Sequence, residues 1–227
     1  SHDYIVTIDD DTILDHKYLE EALRIFKEYP DVGIFGGRST ADFEVPPPKW
    51  IREFNTILCI KDLGEKPIIT QQGKEQIKEY PPNGPFLIAY HRQVFNQYFL
   101  SHFYSNNISY KFGRTGTSLS SGEDNDIVLT IYRNGFQVGY FPQLKFVHFI
   151  PAFRLQKAYL ENLLYKSNKT WVQVLHLHGI TPWTKISKNT VLLRKIRAFI
   201  RMKAWKNDAN YIQWCGACGL IDGRSSI

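Results

Sequence analysis

The sequence predicts an α/β protein, and three observations carry that prediction. Short apolar runs at Tyr4–Ile8, Val32–Phe35 and Phe86–Tyr90 have the length and composition of sheet strands. Stretches with helical spacing and helix-end signals fall between and after them, at 15–29 and 123–133. Turn residues punctuate the two kinds of segment, with Tyr29-Pro30, Gly36-Gly37 and Asn134-Gly135 at the ends of elements.

Taken in order, Tyr4–Ile8 reads as a buried strand that ends in three consecutive carboxylates, Asp9, Asp10 and Asp11. In open α/β sheets ligands bind at the carboxyl ends of strands. Three acids crowded there repel one another unless a cation sits among them. One reading is a hard divalent cation held by oxygen ligands and bridging to a phosphate. The other is a solvated acidic turn that caps the next helix, a task Asp15 can perform alone. That helix carries Leu19, Leu23 and Phe26 on one face and stops at Tyr29-Pro30. Val32–Phe35 is a second strand, closed by Gly36-Gly37. Residues 39–56, with Pro46, Pro47, Pro48 and Trp50, read as an irregular excursion, and 61–83 as a Lys-rich loop or hairpin. Phe86–Tyr90 is a third strand, and a helix follows over Arg92–Phe99. Residues 113–122 form a Gly- and Ser-rich loop of the kind that covers ligands.

At Gly122-Glu123-Asp124-Asn125-Asp126 this loop becomes a helix that runs to Arg133, and Asn134-Gly135 supplies a left-handed stop. Acids in a first turn are ordinary helix-end chemistry. A carboxylate there can also serve as a general base at the edge of a cleft. Asp124 and Asp126 are two residues apart and point to different helix faces, so they need not share a role. The strand Leu144–Ile150 alternates, with Leu144, Phe146, His148 and Ile150 on one face. His148 is therefore either a hydrogen-bonded core residue or a metal ligand lent by a neighbouring strand.

Composition bounds the class. The chain has 227 residues, 43% hydrophobic and 15% aromatic, which suits a globular domain with a substantial core. No segment has the order of a signal peptide, and no apolar run reaches the length of a membrane span. Net charge is +6, unevenly spread: residues 185–206 hold eight Lys or Arg and no acid. In that stretch Leu192, Ile196, Phe199 and Ile200 share a helical face. Such a helix either packs its apolar stripe on the protein or lies on an anionic membrane surface. Nothing there interleaves aromatic and basic residues as a nucleic-acid site does. Three cysteines, Cys59, Cys215 and Cys218, are too few and too odd in number for a disulfide framework and suit a reducing compartment. Cys215-Gly-Ala-Cys218 has redox or zinc spacing without a second pair, so two free thiols on one helical turn are expected.

The acidic strand end, the stretch Asn83-Gly84-Pro85-Phe86-Leu87-Ile88-Ala89-Tyr90-His91-Arg92, the Gly122-Glu123-Asp124 segment and His148 occur in one order. Together they resemble the second half of a family 2 glycosyltransferase of the GT-A fold, over residues 3–178. The resemblance implies a mixed sheet flanked by helices, and a helical basic extension at 179–227 beyond a domain at 1–178. It implies Mg²⁺ or Mn²⁺ on a nucleotide-sugar diphosphate, held by Asp9, Asp11 and His148. Asp10 would lie near the sugar or ribose, Gly84, Arg92 and Glu123 at the substrate, and Asp124 would be the catalytic base. The region around Gly84-Pro85 departs from the family's small-residue pattern. The acidic motif also stands at residue 9, where the family has further βα units before it. At ~30 residues per unit, roughly 90 residues of nucleotide-binding sequence are expected upstream, and the chain alone is expected to bind nucleotide-sugar weakly.

The activity so implied is inverting transfer of a sugar to an acceptor hydroxyl, in bacterial surface polysaccharide or glycolipid assembly. Its partners would be a nucleotide-sugar and a saccharide or lipid-linked acceptor. Its place would be the cytoplasm, with peripheral contact to the inner membrane face through 185–206. Trp50 and Trp183 are candidates to stack on sugar rings. Two alternatives stand beside it. A phosphatase of the haloacid dehalogenase type would want Asp-x-Asp-x-Thr, but position 13 is Ile and Thr12 comes one place early. A truncated or degenerate glycosyltransferase domain would act as a binding module without activity.

Overall fold

A computed structural model describes residues 3–70, 89–91 and 122–227. The chain divides into two compact units. Among the described residues, the first comprises 3–44, 58–70, 89–91 and 124–150, and the second 45–57, 122–123 and 151–227.

The first unit is built on a mixed sheet. Its strands are Tyr4–Val6 (β1), Thr12–Leu14 (β2), Val32–Phe43 (β3), Ile68–Thr70 (β4), Ala89–His91 (β5) and Gln137–Ile150 (β6). They run in the order β1-β5-β3-β6-β2, with β4 also on β6. β5 is antiparallel to β1 and to β3, whereas β3 and β6 are parallel along most of their length. The far side of β6 is shared: β4 pairs with its first half and β2 with its second. Two helices, Tyr18–Glu28 (α1) and Glu123–Arg133 (α2), cover the faces. Successive residues of a strand point to opposite sides. Phe35 accordingly packs with Tyr18, Ile25 and Phe26 of α1, and Ile34 with Val128 and Ile131 of α2. Phe35 sits edge-on to both Phe26 and Phe141 at 4.6 and 5.6 Å between ring centres, within the range of favourable aromatic pairs.

The sequence expectations hold for the class and for most elements, with four corrections. The first strand is three residues long and half-buried, and Ile8 is 52% exposed, so Tyr4–Ile8 is not a buried strand. Among the described residues β1 pairs only with β5, which leaves its apolar side chains part-covered. The buried stripe of α1 is Tyr18, Ala22, Ile25 and Phe26, while Leu19 and Leu23 face solvent. Both stripes have helical spacing, and aromatic packing on Phe35 selects the one that begins at Tyr18. Gly36-Gly37 does not close β3. The strand runs on to Phe43 with a register shift between Gly36 and Arg38. A Cβ at Gly37 would run into the Leu144 carbonyl, so glycine here permits close approach of two backbones. The expected excursion over 39–56 therefore begins only after Phe43. The α2 stop is as expected, with Gly135 at φ 88°. The expected strand Phe86–Tyr90 is described only from Ala89. The helix over Arg92–Phe99 and the loop 113–121 lie outside the described residues.

The second unit is helical: Lys157–Leu177 (α3), Val191–Arg201 (α4) and Asp208–Ser226 (α5), with 3₁₀ turns that include Lys49–Phe54. The long helix α3 packs along α5. Gly216, Gly219 and Gly223 lie three and four residues apart on α5, facing Leu164, Tyr165 and Val172 of α3. A Cβ at Gly219 would meet the Tyr165 carbonyl, so the two backbones approach as closely as glycine allows. Asn207 starts α5 by accepting a 2.8 Å hydrogen bond from the Asn210 amide. Gln213 on α5 donates to Glu53 in the first 3₁₀ turn at 2.7 Å.

Candidate functional site

The acidic turn is built by strand pairing. After β1 the chain turns, and the Thr12 amide donates to the Asp9 carbonyl at 3.2 Å. β2 then joins β6 with Thr12 opposite His148. One residue earlier, the Asp11 carbonyl accepts from the Phe149 amide at 2.8 Å. Ladder geometry thus delivers Asp11 to His148, and the Asp11 Oδ2–His148 Nε2 separation is 3.3 Å. His148 is 7% exposed and shares its buried face with Leu144, Phe146 and Ile150, as the alternation predicts.

The other ring nitrogen decides what this pair can do. His148 Nδ1 lies 2.9 Å from the Leu58 carbonyl oxygen. A carbonyl only accepts, so Nδ1 carries the hydrogen and donates it. In the neutral ring Nε2 then presents a lone pair, and it faces a carboxylate. Two electron-rich groups at this distance are compatible only with a positive species between them, a proton or a metal ion. Two ligands on adjacent corners of an octahedron about 2.1 Å from an ion lie about 3 Å apart. The observed spacing is close to that, and imidazole with carboxylate is a donor set that suits a divalent transition ion such as Mn²⁺ better than Mg²⁺, which prefers oxygen ligands alone. The residues present fit one edge of a divalent-cation site.

The Leu58 carbonyl is itself fixed. Cys59 has a left-handed backbone, φ 57°, which turns the chain at this point. The buried Ser39 hydroxyl donates to the Cys59 carbonyl and accepts from the Lys61 amide, both at 2.7 Å. The Ser39 amide donates to the Lys61 carbonyl at 2.9 Å. β3 thus clamps 58–61, and 58–61 orients His148. Burial pushes the Lys61 ammonium down to about 8. Neither Ser39 nor Leu58 was singled out from sequence, because the contacts that matter span 20 residues or more and have no local pattern.

The other expected site residues are placed differently. Asp9 and Asp10 are exposed on the turn, and no group of three His, Cys, Asp or Glu side chains gathers into a metal cage among the described residues. Glu123 and Asp124 are exposed in the first turn of α2, whereas Asp126 is fully buried, so Asp124 and Asp126 do face different ways. Gly84 and Arg92 lie outside the described residues. Trp50 packs edge-on against Phe54 at 5.8 Å, a structural contact within the 3₁₀ turn. Cys215 and Cys218 are free thiols on α5. No helix among the described residues is long and apolar enough to cross a membrane. Compared with models of known protein families and with curated proteins, the chain matches none.

Proposed function

We propose that the chain carries the metal and acceptor side of an inverting glycosyltransferase that uses a nucleotide-sugar. The single observation that carries the reading is the Asp11–His148 pair, with its imidazole tautomer set by the Leu58 carbonyl. The mixed sheet with flanking helices supports it as the general architecture of such enzymes, and a GT-A arrangement in particular is part of the proposal. Three free cysteines are consistent with work in a reducing compartment.

Asp11 and His148 are the residues that would hold Mg²⁺ or Mn²⁺, with Asp9 the further ligand that the family resemblance implies. Bound there, the ion would neutralise charge on the departing nucleoside diphosphate. Asp124, exposed at the start of α2, accepts the proton of an acceptor hydroxyl as that oxygen attacks the anomeric carbon. The bond from that carbon to the diphosphate oxygen breaks on the opposite face, so configuration inverts. The proton remains on the Asp124 carboxyl until solvent removes it. Glu123, Asp10, Gly84 and Arg92 are the proposed contacts to substrate.

Two measurements test this. Mn²⁺ titrated calorimetrically into the 227-residue chain should bind, and Asp11→Asn and His148→Ala should each weaken binding at least roughly tenfold. Unchanged affinity in both variants overturns the metal site. In transfer assays over a panel of nucleotide-sugars, Asp124→Asn should abolish turnover while leaving Mn²⁺ affinity intact. Metal binding with no transfer or hydrolysis, even at donor concentrations that saturate the chain, would favour the binding-module alternative.

A further inference from the structure

The sequence leaves two fates for the apolar stripe of α4, packed inward or turned outward, and the structure divides it. Phe199 goes in: its ring lies 5.2 Å from Trp214 of α5. Lys195 goes in with it, its Nζ 2.8 Å from Asp222. Leu192, Leu193, Ile196 and Ile200 go out, with Leu192 71% and Ile200 60% exposed. Residues 192, 196 and 200 recur every fourth position, so they form one exposed ridge along the helix, beside the packed Phe199 and Lys195. After Arg201 the chain reverses through Lys203, which has φ 50°, and the Ala204 amide donates to the Phe199 carbonyl at 3.0 Å. This reversal sets Trp205 beside Phe199, 5.7 Å between ring centres, yet 62% exposed.

Charge says what covers the ridge. Arg194, Arg197 and Arg201 fall along one flank of it and are exposed, as are Lys203 and Lys206 beyond the helix end. No acidic residue occurs from 185 to 206. Two copies of this face would repel each other, which disfavours a symmetric dimer through it. A nucleic acid would use the arginines and leave four aliphatic side chains without a role. An anionic bilayer uses both: the aliphatic ridge enters the acyl boundary, and the basic flank lies among phosphate headgroups. Trp205 stands where an amphipathic ring is favoured, at the membrane–water interface.

We infer that α4 with Trp205 is a monotopic anchor that seats the second unit on an anionic lipid surface. The inference stands on the surface of the second unit and is independent of the enzymatic reading.

Co-sedimentation of the 227-residue chain with vesicles tests it. The expected result is binding to phosphatidylcholine mixed with phosphatidylglycerol at low salt, release at high salt, and no binding to phosphatidylcholine alone. A Leu192→Ser, Ile196→Ser, Ile200→Ser variant and an Arg194→Gln, Arg197→Gln, Arg201→Gln variant should each reduce partitioning by roughly tenfold or more. All six side chains are exposed, so both variants should keep the parent circular dichroism spectrum. Brominated lipid should quench tryptophan emission in the parent, and Trp205→Phe should remove most of that quenching. Three results overturn the inference. One is no sedimentation with anionic vesicles at low salt. Another is vesicle binding that the serine variant retains in full, which would be charge attraction alone. The third is polyadenylate RNA that binds the chain and abolishes vesicle binding regardless of the serine substitutions, which would make the face a nucleic-acid site.

Discussion

At His148 the ring orientation is decided by a carbonyl 90 positions earlier in the chain. The parts of this arrangement differ in how visible they are beforehand. Asp11 and His148 can be picked out from sequence because strand alternation and an acidic strand end are local patterns. The Ser39 clamp cannot, since Ser39 in a run of small residues looks the same whether its hydroxyl meets solvent or a buried carbonyl. Asp9 is adjacent to Asp11, which suggests a shared task, but no group of three such side chains gathers among the described residues. Burial also sets reactivity on α5, where it pushes the thiols of Cys215 and Cys218 up to about 11, with Glu161 adding to the rise at Cys215 and Asp222 at Cys218. Only the thiolate alkylates. At pH 8, below both the ordinary value and the raised one, the rise to about 11 lowers the thiolate fraction roughly a hundredfold. Iodoacetamide labelling followed by mass spectrometry should find both cysteines that much slower in the native chain than in urea. The sign for stability follows: these thiols ionise first in the unfolded chain, so their contribution is complete below pH ~9 and is lost as pH rises through about 11. Equal labelling rates in native and unfolded protein would show the sites to be open.

Among elements, those with a strong period were legible and their limits were not. The helix over 123–133 and its glycine stop follow from local chemistry, as does the inward face of β6. β3 was cut short at Gly36-Gly37 because a glycine pair reads as a turn. In this chain the pair lets β3 and β6 approach, a reason that exists only once β6 is alongside. The α1 stripe was displaced for a similar cause: Ala22 is a weak hydrophobic signal, so two leucines outweighed it. The glycine spacing of α5 carries the most direct consequence for packing. Its 216, 219 and 223 positions hold α3 at backbone contact, and a side chain at 219 has nowhere to go. Gly219→Leu should destabilise the second unit by about 1–3 kcal/mol or more from overpacking, despite its better helix propensity. Gly135→Ala is a useful contrast, since it has open space and its cost is backbone strain alone. Urea denaturation followed by far-ultraviolet circular dichroism measures both, and a stabilised Gly219→Leu variant would refute the close approach.

On the scale of the whole molecule, the α/β class is legible from the alternation of strand and helix patterns, whereas the division into two compact units rests on contacts between segments far apart in sequence. It depends on a short stretch, 45–57, that leaves the first unit and joins helices found more than a hundred residues later. Nothing in Pro46-Pro47-Pro48-Lys49-Trp50 announces that destination. The bond from Glu53 to Gln213 bridges 160 positions, and Ile51 beside it is 1% exposed. That connectivity orders events in time. Helices α3 and α5 are separated by a few tens of residues and can dock soon after they form. The 3₁₀ turn can reach them only after a far longer loop has closed, at an entropy cost that grows with the logarithm of its length. The turn should therefore be unformed at the folding barrier. Ile51→Val, expected to cost about 0.5–1.5 kcal/mol, should accelerate unfolding and leave the refolding rate nearly unchanged in stopped-flow chevrons. A slowed refolding limb would mean that the most distant contact in the second unit is made first. If the turn does dock last, the helices must assemble for a time with the seat for Ile51 open to water, and that interval is when this chain is most exposed to capture by another copy of itself.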